Sequence, residues 1–135
     1  AGTPPIAQVI GLGAAVNYLS RVDFEQLRIH EAQLCAQLID GLSLIDGIII
    51  LGPIEQLKKK GHLVSFVVEN IHAHDVAAYL SKEGICVRAG DYCAQPLFKK
   101  MHLSGSVRAS FYLYNTAQEV DSLIEAVDRL VKTFK

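Results

Sequence analysis

"SVRASFYLYNTAQEVDSLIEAVDRLVKTF", residues 106–134, changes its hydrophobic period once, and that change decides the fold. Up to Leu113 the chain alternates. Val107, Ala109, Phe111 and Leu113 point one way and Arg108, Ser110 and Tyr112 the other, as in a strand buried on one face. Thr116 and Glu119 then stand at the spacing of a capping box. Behind them Val120, Leu123, Ile124, Val127, Leu130, Val131 and Phe134 form an apolar stripe at helical spacing. A half-buried strand followed by an amphipathic helix predicts a sheet with helices layered on one side.

Working upstream, residues 6–20 follow two prolines, which suit the start of a helix. The segment is apolar nearly all round, which predicts a helix buried on most sides. Gly11 and Gly13 form a lone G-x-G with no preceding strand and no third glycine, so they are assigned to close packing rather than to a dinucleotide. Residues 23–43 carry Phe24, Leu27, Leu34, Cys35, Leu38, Ile39 and Leu42 on one helical face, with Asp23 placed to cap it. Segments 47–51 and 62–68 read as strands, and Lys58-Lys59-Lys60 before Gly61 as a solvated turn making them a hairpin. His74 and Asp75 open a short helix that stops at Gly84. Residues 85–88 read as a strand, and 94–101 as a short helix with Pro96 in its first turn. The expected order is α-α-β-β-α-β-α-β-α. That is an α+β, two-layer α/β architecture: a small, largely antiparallel sheet of about four strands, with helices packed on one face.

The 135 residues suffice for one core without staples. A formal net charge of −1 provides no field for nucleic acid or acidic lipid, so neither is an expected partner. Three cysteines without regular spacing argue against a disulfide framework. With no signal peptide and no apolar run long enough to span a bilayer, the expected compartment is the reducing cytosol. "AGTPPIAQ" lacks an initiator methionine and reads as a linker, which suggests a domain cut from a longer polypeptide.

Among the thiols, Cys35 lies on the apolar stripe of a helix and Cys86 between Ile85 and Val87, so both are expected to be small buried hydrophobes. Cys93, in "RAGDYCAQPL" (88–97), has no apolar periodicity to explain it and is either an accident of the surface or a nucleophile. An unassisted thiol is only about 3% thiolate at neutral pH, so a reactive Cys93 needs positive charge or helix amides nearby. Arg88 lies five residues upstream, and a helix begins near Ala94. Arg108 has two readings: a surface arginine on a neighbour, or a fork that grips a carboxylate through two parallel hydrogen bonds. His72 and His74 make a possible metal pair, but no third or fourth ligand follows at zinc-site spacing, so no metal is expected. Ser104, Ser106 and Ser110 lack any nucleophile-elbow motif.

"AGTPP…IGLGAAVNYL", "HAHDVAAYL", "GICVRAGDYCAQPL" and "VRASFYLYNTAQEVDSL" together resemble the C-terminal part of the group-II cysteine desulfurases, which serve iron–sulfur cluster assembly within the class-V aminotransferase family. The resemblance runs nearly end to end. It implies residues 1–22 as a connector and helix from a large pyridoxal-phosphate domain, and residues 23–135 as the small domain. In that setting Cys93 is the nucleophile that takes sulfur from L-cysteine, releases L-alanine and passes its persulfide sulfur to an acceptor protein. Arg108 holds the substrate carboxylate and Arg88 lies close by. Thr3 reaches the cofactor phosphate of the opposite subunit of a homodimer.

Two departures from the family pattern stand out. Where the family carries "GHHC" this chain has "GDYC". Asp91 brings a negative charge that works against a thiolate, and Tyr92 cannot replace imidazole as a proton carrier near neutrality. None of Lys58, Lys59, Lys60, Lys82, Lys99, Lys100, Lys132 and Lys135 sits in the family's histidine–lysine motif. The chain alone is therefore expected to be inactive and to hold no pyridoxal phosphate. Competing readings are a selenocysteine lyase or another class-V carbon–sulfur enzyme, and a non-catalytic module that docks scaffold or acceptor proteins.

Overall fold

The computed structural model describes residues 2–134; Ala1 and Lys135, the outer ends of the two expected segments, lie outside the described residues. In chain order the elements are α1 (Ile6–Leu19), α2 (Phe24–Leu42), β1 (Ile48–Leu51), α3 (Ile54–Lys60), β2 (Leu63–Val68), α4 (Ala73–Lys82), β3 (Arg88–Gly90), α5 (Gln95–Lys100), β4 (Ser106–Ser110) and α6 (Ala117–Phe134). The four strands form one antiparallel sheet in the order β1-β2-β4-β3. Among the described residues no helix is long and apolar enough to cross a membrane.

Alternation decides which face of the sheet is covered. Val64, Phe66 and Val68 of β2 and Val107 and Ala109 of β4 are buried together with Leu38, Ile39 and Leu42 of α2, Val76 and Leu80 of α4, and Val120, Val127 and Leu130 of α6. α2, α4 and α6 thus lie on one face, giving the two-layer α+β architecture. Local chemistry sets the helix ends. Asp23 Oδ1 accepts from the backbone N–H groups of Glu25 and Gln26, at 2.9 and 3.1 Å. Thr116 and Glu119 complete a reciprocal capping box, Glu119 Oε2 accepting from Thr116 N at 2.8 Å and Thr116 Oγ1 from Glu119 N at 3.3 Å. Gly84, at φ +77°, ends α4 in a Schellman pattern, with Ile85 N donating to Leu80 O and Gly84 N to Ser81 O.

Several expectations are corrected. The lysine run is not a loop but the last turn of α3, a helix with Glu55 in its first turn and Lys58, Lys59 and Lys60 in its last. That order complements the helix dipole, and Lys58 pairs with Asp40 of α2. β1 and β2 still pair as antiparallel neighbours, but a helix connects them instead of a tight turn. β3 begins at Arg88, not at residue 85. Beyond the Arg88–Arg108 pair the two chains part, and a cleft of about 420 Å³ opens between Cys86-Val87 and Ala109-Ser110. Cys86 is consequently exposed rather than buried. Phe134, at the end of the α6 stripe, is also exposed.

α1 is not enclosed by the other described residues, although its apolar circumference taken alone predicts burial on most sides. None of its residues is buried, and Ile10 is 69% exposed. Gly11 and Gly13 have open space around them rather than a close neighbour. An apolar circumference requires partners on every side, and the other described residues do not surround this helix.

Phe66 is fully buried in β2, between β1 and β4. Phe66→Ala is expected to destabilise the domain by about 3–5 kcal/mol, a large part of the roughly 5–15 kcal/mol available to a domain. Urea denaturation followed by circular dichroism checks this; an unchanged midpoint would contradict the packing described here.

Candidate active site

The site grows from the register of the outer strand pair. β3 runs antiparallel to β4 with Arg88 opposite Arg108, Ala89 opposite Val107 and Gly90 opposite Ser106. Ala89 and Val107 face the core. Arg88 and Arg108 therefore share the face turned away from the core, directly across from one another. Like charges in that relation repel, so the pair makes a local cationic spot ready for an anion. Arg108 is half-buried and makes no ion pair among the described residues, and its Nε is buried without a hydrogen-bond partner. Arg88 is exposed.

The chain leaves β3 through Gly90, at φ +119°, and turns back at once. Ala94 N donates to Asp91 O at 2.8 Å, closing a four-residue turn whose central residues, Tyr92 and Cys93, have φ of +54° and +61°. Both signs positive is the type I′ pattern, which ordinarily uses Asn-Gly. Asp91 Oδ1 accepts from Cys93 N at 3.1 Å and helps to hold the bend. At the base, Gly105 approaches Gly90 so closely that a Cβ on Gly105 would lie 3.0 Å from the Gly90 carbonyl carbon. The result is a tight protrusion with the Cys93 side chain exposed at its tip. α5 follows at Gln95 and anchors the far side through buried Phe98.

Tyr92 ties this turn to the sheet. Its hydroxyl donates to Ser106 O at 2.6 Å and accepts from Ser106 Oγ at 3.1 Å. Its ring lies under the Arg108 guanidinium, with Cζ 5.0 Å from the centroid. Phe98 and the ring make a T-shaped contact, at 5.9 Å and 70°. Burial pushes the Tyr92 phenol up, against the opposing effects of the Ser106 hydrogen bond and the Arg108 and Arg88 charges, so it stays a protonated donor near neutral pH.

Sequence reasoning had singled out Cys93, Arg88 and Arg108, and the fold brings the turn of Cys93 beside both arginines. Thr3 is not brought there. It is exposed ahead of α1, and its side chain makes no hydrogen bond among the described residues. Tyr92 and Ser106 were missed as parts of the site. Ser106 shares the strand face of Arg108 by alternation, and that was the available signal. Of the other thiols, Cys35 is buried, and burial with Glu31 beside it pushes it up to about 12, which makes it inert. His72 and His74 stack on each other at 5.1 Å, and among the described residues no group of three or more His, Cys, Asp or Glu is placed to hold a metal.

Pyridoxal phosphate does not fit the described residues on their own. Its aldehyde needs a sheltered lysine, yet Lys59, Lys60, Lys82, Lys99 and Lys100 are exposed, Lys58 pairs with Asp40 and Lys132 with Asp128. What the cluster does fit is a small carboxylate: a fixed guanidinium with free donors, a second cation opposite, and a thiol on the adjoining turn.

The sequence matches the class-V aminotransferase profile over residues 1–123. It is 45% identical over 134 residues to a cysteine desulfurase of Haloferax volcanii, covering 99% of this chain and 31% of that protein. The fold superposes on the apo cysteine desulfurase of Thermococcus onnurineus with a TM-score of 0.91 at 40% identity, over 98% of this chain and 33% of that one. A cysteine desulfurase of Escherichia coli gives a TM-score of 0.89 at 35% identity, over 98% and 32%. The chain thus spans about a third of the length of these relatives.

Proposed function

The chain belongs to the class-V aminotransferase family, and from that premise we propose that it is the sulfur-accepting part of a pyridoxal-phosphate-dependent cysteine desulfurase of the group-II type. Residues 1–22 serve as connector and helix from the larger cofactor domain, and residues 23–135 as the small domain. The observation that carries this reading is the exposed thiol of Cys93 on a hydrogen-bonded turn whose Tyr92 ring lies against Arg108.

In the full-length enzyme Arg108 grips the carboxylate of L-cysteine through paired N–H donors, with Arg88 adding charge beside it. The thiolate of Cys93 attacks the substrate sulfur. A sulfur–sulfur bond forms, the substrate carbon–sulfur bond breaks, and the electron pair left on carbon takes up a proton to give L-alanine. The persulfide on Cys93 then passes its outer sulfur to an acceptor protein of iron–sulfur cluster assembly. Pyridoxal phosphate, held by the part of the enzyme outside this chain, supplies the electron sink. Thr3 completes its phosphate site across a homodimer, and the enzyme works in the cytoplasm. A tip exposed on a two-residue bend suits both halves of the task, because the same sulfur must meet a buried substrate and then an external protein.

The test is to give the full-length enzyme L-cysteine and measure alanine together with the mass of the Cys93 peptide. One alanine per sulfur atom gained on that peptide is the expected outcome. Alanine release with no sulfur on Cys93 would overturn the assignment, and selenocysteine used in preference would redirect it to a lyase.

A further inference from the structure

We propose that Tyr92 is a positioning residue that fixes the Arg108 guanidinium and locks it to the turn carrying Cys93; this rests on the roles given to Cys93 and Arg108 above. Arg108 is long and flexible, faces a second cation, Arg88, across the strand pair, and has no carboxylate beside it among the described residues. Left alone, it would swing away from its neighbour. A protein carboxylate would hold it, but would also occupy the N–H donors that a substrate needs. A ring face holds a guanidinium without using any donor, because the attraction is to the flat side of the cation. The Tyr92 ring, with Cζ 5.0 Å from its centroid, is placed to do this, and Arg108 makes no ion pair among the described residues.

The ring is itself fixed at three points. Its hydroxyl is bonded twice to Ser106, which is fully buried two residues before Arg108 on the same strand face. It makes a T-shaped contact with Phe98, and its backbone sits in the constrained turn. Residues i and i+2 of a strand are about 7 Å apart, a span that a tyrosine laid along the strand bridges, hydroxyl on one and ring on the other. Cys93 is the next residue, so the same side chain sets the nucleophile and the anchor in one frame.

The experiment uses the full-length enzyme and steady-state alanine release. Tyr92→Leu removes the ring and is expected to raise KM for L-cysteine about tenfold, the effect of a lost partly desolvated cation–π contact, with a smaller fall in kcat. Tyr92→Phe keeps the ring but frees its tip by removing both neutral hydrogen bonds to Ser106, and should raise KM about threefold. Combined with Arg108→Ala, either change should add less than about twofold, because residues acting through one another are non-additive. Equal effects with and without Arg108, or an unchanged KM in both variants, would overturn the positioning role while leaving the cysteine desulfurase reading intact. A wild-type enzyme that releases no alanine would overturn both. Should Tyr92→Leu fail to fold, the Tyr92→Phe rise in KM and its disappearance over Arg108→Ala carry the same test.

Discussion

Cys93→Ala in the full-length enzyme is expected to lose alanine release from L-cysteine by on the order of a thousandfold or more, as removal of a covalent nucleophile does elsewhere. No other thiol stands ready to substitute. Cys35 is sealed in the core, and Cys86 opens toward a separate cleft between Val87 and Ser110. The loss should not come from unfolding. The Cys93 side chain is exposed at the tip of its turn, and alanine meets the same backbone constraint, so the urea midpoint should move by no more than about 0.5 kcal/mol equivalent. Measuring both quantities on one preparation separates chemistry from stability. Activity within tenfold of wild type, or a persulfide found on Cys86, would remove Cys93 from its role. Binding to an acceptor protein serves as the internal contrast: a pure docking module would bind equally well without the thiol and would never carry sulfur.

The second large effect belongs to Arg108→Ala, for which kcat/KM should fall by about two to three decades. Two charge-assisted hydrogen bonds are removed, at the lower end of roughly 1.5–3 kcal/mol each, and 1.4 kcal/mol is tenfold. Arg108→Lys restores charge but not the fork, and should recover only part of the loss. Cysteamine, which has the thiol and amine but no carboxylate, sharpens the comparison. Its use should be poor in the wild type and little changed by Arg108→Ala, so that the preference for cysteine collapses in the variant. A preference that survived would mean that the carboxylate is read by some other group. The lack of any ion pair on Arg108 among the described residues and the opposed Arg88 support the expected result.

Much of this molecule could be read from its sequence because its longest elements have clean periods. The alternation from Val107 and the stripe behind Thr116 give β4 and α6, although β4 ends at Ser110 and not beyond Leu113, and the caps at Asp23, Thr116 and Gly84 fall where their side chains or backbone freedom require. Three things were not legible. α3 is only seven residues long, too short for a periodic signal, although Glu55 ahead of three lysines carried the dipole pattern. The start of β3 depends on where β4 stops offering partners, which is a property of two distant segments together. Isolated from flanking structure, α1 looks like a core helix, and whether its circumference is covered depends on surfaces beyond its own residues. At the site, the types and spacing of residues were enough to single out Cys93, Arg88 and Arg108. They did not reveal the cross-strand pairing of the two arginines. Nor did they reveal Tyr92 as a bridge, because two left-handed residues in succession are unexpected where neither is glycine.

Those two residues also act as a filter on mutation. Glycine would relax the bend at either place, yet glycine at 93 deletes the sulfur and glycine at 92 deletes the bridge. Side chains branched at Cβ are the worst suited, so valine, isoleucine or threonine should be purged from both positions whatever their chemistry. Asparagine, aspartate and histidine are the substitutes that the backbone at 92 accepts most readily. Holding such conformers takes roughly 1–3 kcal/mol each. A conservative-looking change deep among Leu38, Phe66 and Val127 therefore draws on the same reserve that keeps the bend closed, and lineages with a weakened interior should lose the shape of the turn before they lose the fold.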